Sequence, residues 1–293
     1  MQHNFKGLGV AMVTPFTDKG EVDYAGLENL TNYLVEGGVD YLVVQGTTGE
    51  SATMTLAEKQ EVLRVVKQVN QGRKPVVFGH GGNNTASLVE GFSNFDLDGV
   101  YAILSASPYY NKPTQEGIYQ HYKALSEASP LPIILYNVPG RTASNMSADT
   151  TLRLARDFDN IIAVKEASGD LVQIVKILKD KPEDFKVISG DDALVVPHIA
   201  AGGDGVISVI GNALPKDFGK MTHAALNGDY AEAQRIQNRV SDLIDQLFVQ
   251  GNPAGIKAAL KMKGVCGEAV RLPLVNISDD LRTAMEKELE GLN

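Results

Sequence analysis

A lysine closes a short apolar run, Ile161-Ile162-Ala163-Val164-Lys165. Strand alternation places Ile161, Ala163 and Lys165 on one face and Ile162, Val164 and Glu166 on the other. An ammonium among such neighbours is costly to desolvate, which favours the neutral amine. Only about one free lysine in several thousand is neutral at pH 7, so such a bias is what makes a lysine a nucleophile for a ketone. A plainer account also fits: a stem packed along the strand with its head in water. Tyr136 closes another apolar run one segment earlier. Adjacent strands would bring its phenol to Lys165 as acid and then base in imine formation, whereas a rim tyrosine packing by its ring has the same sequence. Arg141, after Val138-Pro139-Gly140, suits a bidentate clamp on a carboxylate or an exposed turn. Gly46-Thr47-Thr48-Gly49 offers backbone N–H groups and two hydroxyls to an anion, as glycine-rich turns commonly do.

Other chemistries lack their residues. The five histidines (3, 80, 121, 198 and 223) never pair at metal-ligand spacing, and Gly-x-Ser-x-Gly is absent, so no metal site and no serine triad is expected. Cys266 is the only cysteine, which excludes a disulfide or thiolate cluster within these residues and reads as a packed or linker position. Gly79-His80-Gly81-Gly82-Asn83 lacks the lysine and spacing of a nucleotide loop and reads as a turn capping the next helix. Asp191 and Asp192 read as the cap and first-turn acid of the helix after the seventh apolar run. A net charge of −9 with no basic stripe argues against nucleic acid or an anionic membrane as partner. No segment approaches the ~20 apolar residues of a membrane span. Met1–Thr14 has neither a basic lead nor a long apolar stretch, so no signal peptide and a cytoplasmic location are expected.

These residues need a scaffold, and the chain supplies a rhythm for one. Short β-branched runs fall at Leu8–Val13, Tyr41–Gln45, Pro75–Gly79, Val100–Leu104, Pro132–Tyr136, Ile161–Lys165, Lys186–Ser189 and Val206–Ile210. Each gap has room for one helix and two loops, the βαβ pattern of a parallel sheet. Eight units, with no Gly-x-Gly-x-x-Gly after the first, predict a closed (β/α)8 barrel, an open doubly wound sheet being the alternative. Polar groups gather where the runs end, where the working loops of such a barrel lie. From about Asp229 no strand is predicted. Val240, Leu243, Ile244, Leu247 and Phe248 form a helical stripe. Asn252 and Pro253 read as N-cap and N1 of a helix that Gly264 stops, and Ser278 opens a last helix. The expected organisation is a barrel over 1–227 and an all-helical extension over 228–293.

Taken together, the segments resemble the dihydrodipicolinate synthase family, within the N-acetylneuraminate lyase superfamily. The resemblance runs through Val13–Phe16, Gly46–Ala52, Pro108–Pro113, Tyr136–Thr142, Lys165–Asp170, Ser189–Asp192, Gly205–Val209 and Arg271–Leu274, in order and nearly end to end. It implies that Lys165 forms an imine with pyruvate, with no other cofactor. Tyr136, Thr47 and Tyr110 would relay protons, Tyr110 reaching in from a neighbouring subunit. Thr48 and the backbone near Gly46 and Ile207 would hold the pyruvate carboxylate, and Arg141 that of L-aspartate 4-semialdehyde. A homotetramer, a dimer of dimers serving lysine synthesis, is the implied assembly. Sister lyases acting on sialic acid or keto-deoxy sugar acids share the lysine and tyrosine; Arg141 and the Tyr109-Tyr110 pair favour the synthase. A barrel that only binds a keto acid would lack the lysine or the tyrosine. Ser51, Ala52, Asn83 and Tyr109 match the site where relatives bind inhibitory lysine. Leu56, Lys59 and Ser87 stand where those relatives carry bulky polar groups, which implies weak or absent feedback. Gly255 stands where relatives often have a second proline, with no functional change attached to it.

Overall fold

The computed structural model describes residues 5–292; His3 and the first residues of the stretch read for a leader lie outside them. The eight predicted runs are eight strands: β1 (Gly7–Ala11), β2 (Tyr41–Val44), β3 (Val76–Gly79), β4 (Val100–Ala106), β5 (Ile133–Asn137), β6 (Ile161–Glu166), β7 (Lys186–Ser189) and β8 (Gly205–Ser208). They pair in parallel and in chain order, and β8 pairs with β1 to close a barrel. Between and after them lie α1 (Tyr24–Glu36), α2 (Leu56–Asn70), α3 (Thr85–Gly91), α4 (Gln115–Ala128), the single turn α5 (Pro139–Thr142), α6 (Ala148–Asp157), α7 (Leu171–Asp180), α8 (Val195–Ala200) and α9 (Pro215–Leu226). The fold is a (β/α)8 barrel with an all-helical C-terminal extension, α10 (Tyr230–Val249), α11 (Ala254–Met262) and α12 (Asp279–Leu292).

The strands form because their residues are apolar on both faces. Inward side chains such as Val43, Val77, Ala102, Leu104, Ile134, Ala163, Ile188 and Ile207 fill the barrel, while Leu42, Val76, Ile103, Leu135, Val164 and Val187 join the shell beneath the helices. Helix starts carry caps where the sequence has Asp, Thr, Asn or Ser. Thr55 and Glu58 make a reciprocal capping box on α2, and Asn84, one residue beyond the expected turn, caps α3.

Strand β2 ends one residue before its apolar run, and β1 and β8 end two residues before theirs. The Val13 N–H donates to Asn212 Oδ1, and the N–H groups of Val209 and Ile210 donate to Asp192 Oδ2. Side chains take backbone donors that a longer ladder would have used. In the extension, Val240, Leu243, Ile244 and Leu247 are buried, but Phe248 is 43% exposed in the last turn of α10. Gly264 has φ +68 just past α11, and the Ser278 hydroxyl accepts from the Leu281 N–H at the start of α12. Gly255 is required sterically, since a Cβ there would stand 2.3 Å from the Leu247 carbonyl oxygen.

Candidate active site

β5 and β6 bring the two leading residues together. Tyr136 and Lys165 are register partners across the β5–β6 pair, as are Asn137 and Glu166. The register shifts where Ile133 faces Ile161 and Ile134 faces Ala163, so Ile161 joins the outer shell, against simple alternation. Beyond that point the alternation holds. Lys165 follows Ala163 on the barrel side and is 5% exposed, with Nζ 4.4 Å from the centroid of the Tyr136 ring. Glu166 faces outward and is fully engaged: it accepts from Asn137 Nδ2, the Ser168 N–H and Gln173 Nε2. That buried carboxylate ties β5 and β6 to α7 directly behind the lysine and tyrosine.

Above the strand ends lies a cavity of about 620 Å³. Its wall includes Gly46, Thr47, Tyr136, Val138 and Arg141, and also Ser51, Ala52, Lys59, His80 and Tyr109. Lys165 is not on that wall; it sits beside Tyr136, which is. Thr48 and Ile207 are buried, at 3% and 1% exposure, and also lie off the wall. Gly46 opens the one-turn 3-10 helix Thr47–Gly49, which leaves Thr47 exposed and turns Thr48 inward. Arg141 is exposed on α5. Tyr110 is not on the cavity wall and is 87% exposed, with φ +73. Among the described residues no group of three or more His, Cys, Asp or Glu is placed to hold a metal ion, and no helix is long and apolar enough to cross a membrane.

The model of the dihydrodipicolinate synthetase family matches residues 4–292 of this chain. The chain belongs to that family. A 4-hydroxy-tetrahydrodipicolinate synthase of Parabacteroides distasonis is 54% identical over 272 residues, covering 93% of this chain and 92% of its own. Dihydrodipicolinate synthase from Aquifex aeolicus superposes with a TM-score of 0.95 at 40% identity, covering 99% and 98% of the two chains. The enzyme of Cyanidioschyzon merolae, solved with lysine bound, gives 0.95 at 41% identity, covering 99% and 98%. This chain is therefore a lyase of the dihydrodipicolinate synthase type.

In this family member, the residues matched to the relatives' lysine site divide. Ser51, Ala52 and Tyr109 share the cavity wall with Lys59, while the exposed Asn83 is not part of it. Burial lowers the Lys59 ammonium and the His80 imidazole below their ordinary ranges.

Around the site, the roles of Glu50, Lys257 and Gln45 had no reading in the sequence. Glu50, in the left-handed region at φ +52, forms a fully buried ion pair with Lys257 of α11 and accepts from the Arg271 N–H at 3.0 Å. Lys257 also donates to the Ala269 carbonyl and lies over the Phe16 ring. Asn252 does not act as an N-cap. Pro253 occupies that position, and the Asn252 amide donates to Thr48 Oγ1. Asp191 caps the turn after β7 through the Ala193 N–H and Asp192 is its first-turn acid, as read from the sequence, but Asp192 also does more. It is buried, holds the loop after β8, and has its carboxyl pushed up to about 6 by desolvation. Gln45 is buried at φ +63, just before Gly46. Cys266 is half-buried, and burial pushes its thiol up to about 12, as suits a packed cysteine.

Proposed function

We propose that this enzyme condenses pyruvate with L-aspartate 4-semialdehyde through a Schiff base on Lys165, in the diaminopimelate route to lysine, in the cytoplasm. The observation that carries the reading is the buried Lys165 amine facing the Tyr136 ring at 4.4 Å, on the inward face of the barrel mouth. The neutral amine adds to the keto carbon of pyruvate, water leaves, and the imine loses a methyl proton to give an enamine. The enamine carbon attacks the aldehyde. Attack of the new substrate's own amino group on the imine carbon then closes the ring and returns the lysine amine. The covalent lysine takes the place of any cofactor. Tyr136 carries protons to and from the addition intermediate, with Thr47 and, from a second subunit, Tyr110 as relay partners. Thr48, Gly46 and the backbone near Ile207 hold the keto-acid carboxylate. The N–H groups of Val209 and Ile210 are already held by Asp192, so they are not part of that cradle. Arg141, exposed on the cavity wall, receives the carboxylate of the aldehyde. The working assembly is a homotetramer, a dimer of dimers.

The test is borohydride reduction in the presence of pyruvate, with mass mapping of the product. A pyruvyl adduct on Lys165 is expected, lost in Lys165→Ala; an unmodified Lys165 in the active enzyme ends the proposal. A coupled assay with aspartate semialdehyde against N-acetylmannosamine separates the synthase from its sister lyases, and turnover of the sugar alone would move the assignment to them.

Feedback by lysine is expected to be weak or absent. A ligand bearing two ammonium groups would meet the half-buried Lys59 beside Ser51, Ala52 and Tyr109, where a carboxylate would be needed. A lysine titration into the millimolar range should leave the rate unchanged, and inhibition at micromolar lysine would refute this.

A further inference from the structure

The Thr48 hydroxyl is held from outside the barrel. Its oxygen accepts a hydrogen bond from Asn252 Nδ2 at 2.9 Å, between residues 204 positions apart. Both are buried, at 3% and 6% exposure, and Asn252 and Pro253 belong to the cavity wall. Asn252 lies in the link between α10 and α11, so this contact comes from the helical extension.

A hydroxyl has one proton and two acceptor sites. With an amide N–H on one acceptor site, the proton is directed elsewhere, which is the direction that binding a carboxylate needs. We infer that Asn252 is a positioning residue: the extension sets the direction in which Thr48 gives its proton to the keto acid. This rests on Thr48 as a carboxylate-binding group, as proposed above. The turn carrying Thr48 is secured independently. Thr14 Oγ1 donates to the Gly49 carbonyl at 2.7 Å, and Glu50 is locked by Lys257 and the Arg271 N–H. Losing the Asn252 amide therefore leaves the backbone in place and releases only the hydroxyl.

The experiment is a double-mutant cycle on the full-length enzyme with Asn252→Ala, Thr48→Val and the pair, reading KM for both substrates, kcat and the pyruvate dependence of borohydride trapping. Each single change should raise the pyruvate KM about tenfold, the scale of one hydrogen bond to a charged group. The aldehyde KM should stay within about twofold, and the double variant should be no worse than Thr48→Val, because Asn252 acts only through that hydroxyl. Asn252→Asp keeps the shape but offers only acceptors, so it draws the hydroxyl proton to itself and should raise the pyruvate KM at least as much as alanine. It also serves if the alanine variant does not fold. Additive losses in the double variant, or lower stability with an unchanged pyruvate KM, would overturn the inference. An unaffected pyruvate KM in Thr48→Val would remove the reading of Thr48 beneath it as well. A normal Asn252→Ala beside an impaired Thr48→Val would sink this inference alone.

Discussion

Lys165 lies along a glycine. A Cβ on Gly190 would stand 2.9 Å from Lys165 Cε, 3.1 Å from its Cγ and 2.6 Å from Ala167 Cβ. Ala167 Cβ has no rotamer to yield, so a methyl group there shifts backbone as well as the lysine stem, and both movements displace the amine. A misplacement of about 1 Å can cost ~10²-fold in rate. Gly190→Ala is therefore expected to slow borohydride trapping and kcat by roughly tenfold to a hundredfold, while overpacking costs only ~1–3 kcal/mol of stability. Rapid-quench trapping and a urea midpoint check both halves; trapping at the parent rate would show that the stem is not confined by this glycine. Lys165 and Tyr136 were legible in the sequence because strand alternation fixes their side and the strand end fixes their height. Gly190 was not, since its need arises from a side chain on the neighbouring strand. Nor was Asn252, whose partner Thr48 is on the far side of the chain in sequence. Side-chain partners so distant leave no periodic trace.

At the scale of elements, the loop after β2 is joined to α11 by Glu50 and Lys257, whose side chains are 1% and 0% exposed. Burial, with a smaller push from the Arg271 charge, lowers the Lys257 ammonium, and Glu50 opposes that shift. Such a pair adds little net stability, but breaking it strands a charge. Lys257→Met should cost about 3–5 kcal/mol by leaving the Glu50 carboxylate buried and uncompensated. Glu50→Gln combined with Lys257→Met should recover a good part of that loss, because neither remaining group is ionised. Urea unfolding of the two variants decides it, and a double variant less stable than Lys257→Met would show that the charges are net stabilising. The eight strands were readable from their apolar runs, and the extension's helices from an apolar stripe, Gly264 and Ser278, though not from Asn252. The ends of β1 and β8 were not, because Asn212 and Asp192 take backbone donors that the apolar runs had seemed to reserve for the ladder.

Across the whole molecule, the count of eight apolar runs, several of them hydrophobic on both faces, with no Gly-x-Gly-x-x-Gly after the first, pointed to closure. What one chain leaves unexplained is Tyr110. It holds a left-handed φ of +73, a conformation costing a non-glycine residue about 1–3 kcal/mol, and still leaves its ring 87% exposed. Within one chain that turn is closed by the Asn111 N–H donating to the Tyr109 carbonyl, but the ring itself has no buried place, which a second subunit's site would give it. If Tyr110 works across an interface, then Lys165→Ala and Tyr110→Phe variants, each nearly inactive alone, should complement one another when co-expressed. Random pairing makes half of the dimers mixed, and each mixed dimer has one site with both the lysine and the tyrosine, so about one site in four regains activity. Steady-state rates on the co-expressed enzyme, with subunit composition checked by native mass spectrometry, measure this. Mixed dimers that show no more activity than the separate variants would place Tyr110 in its own subunit's site or in none.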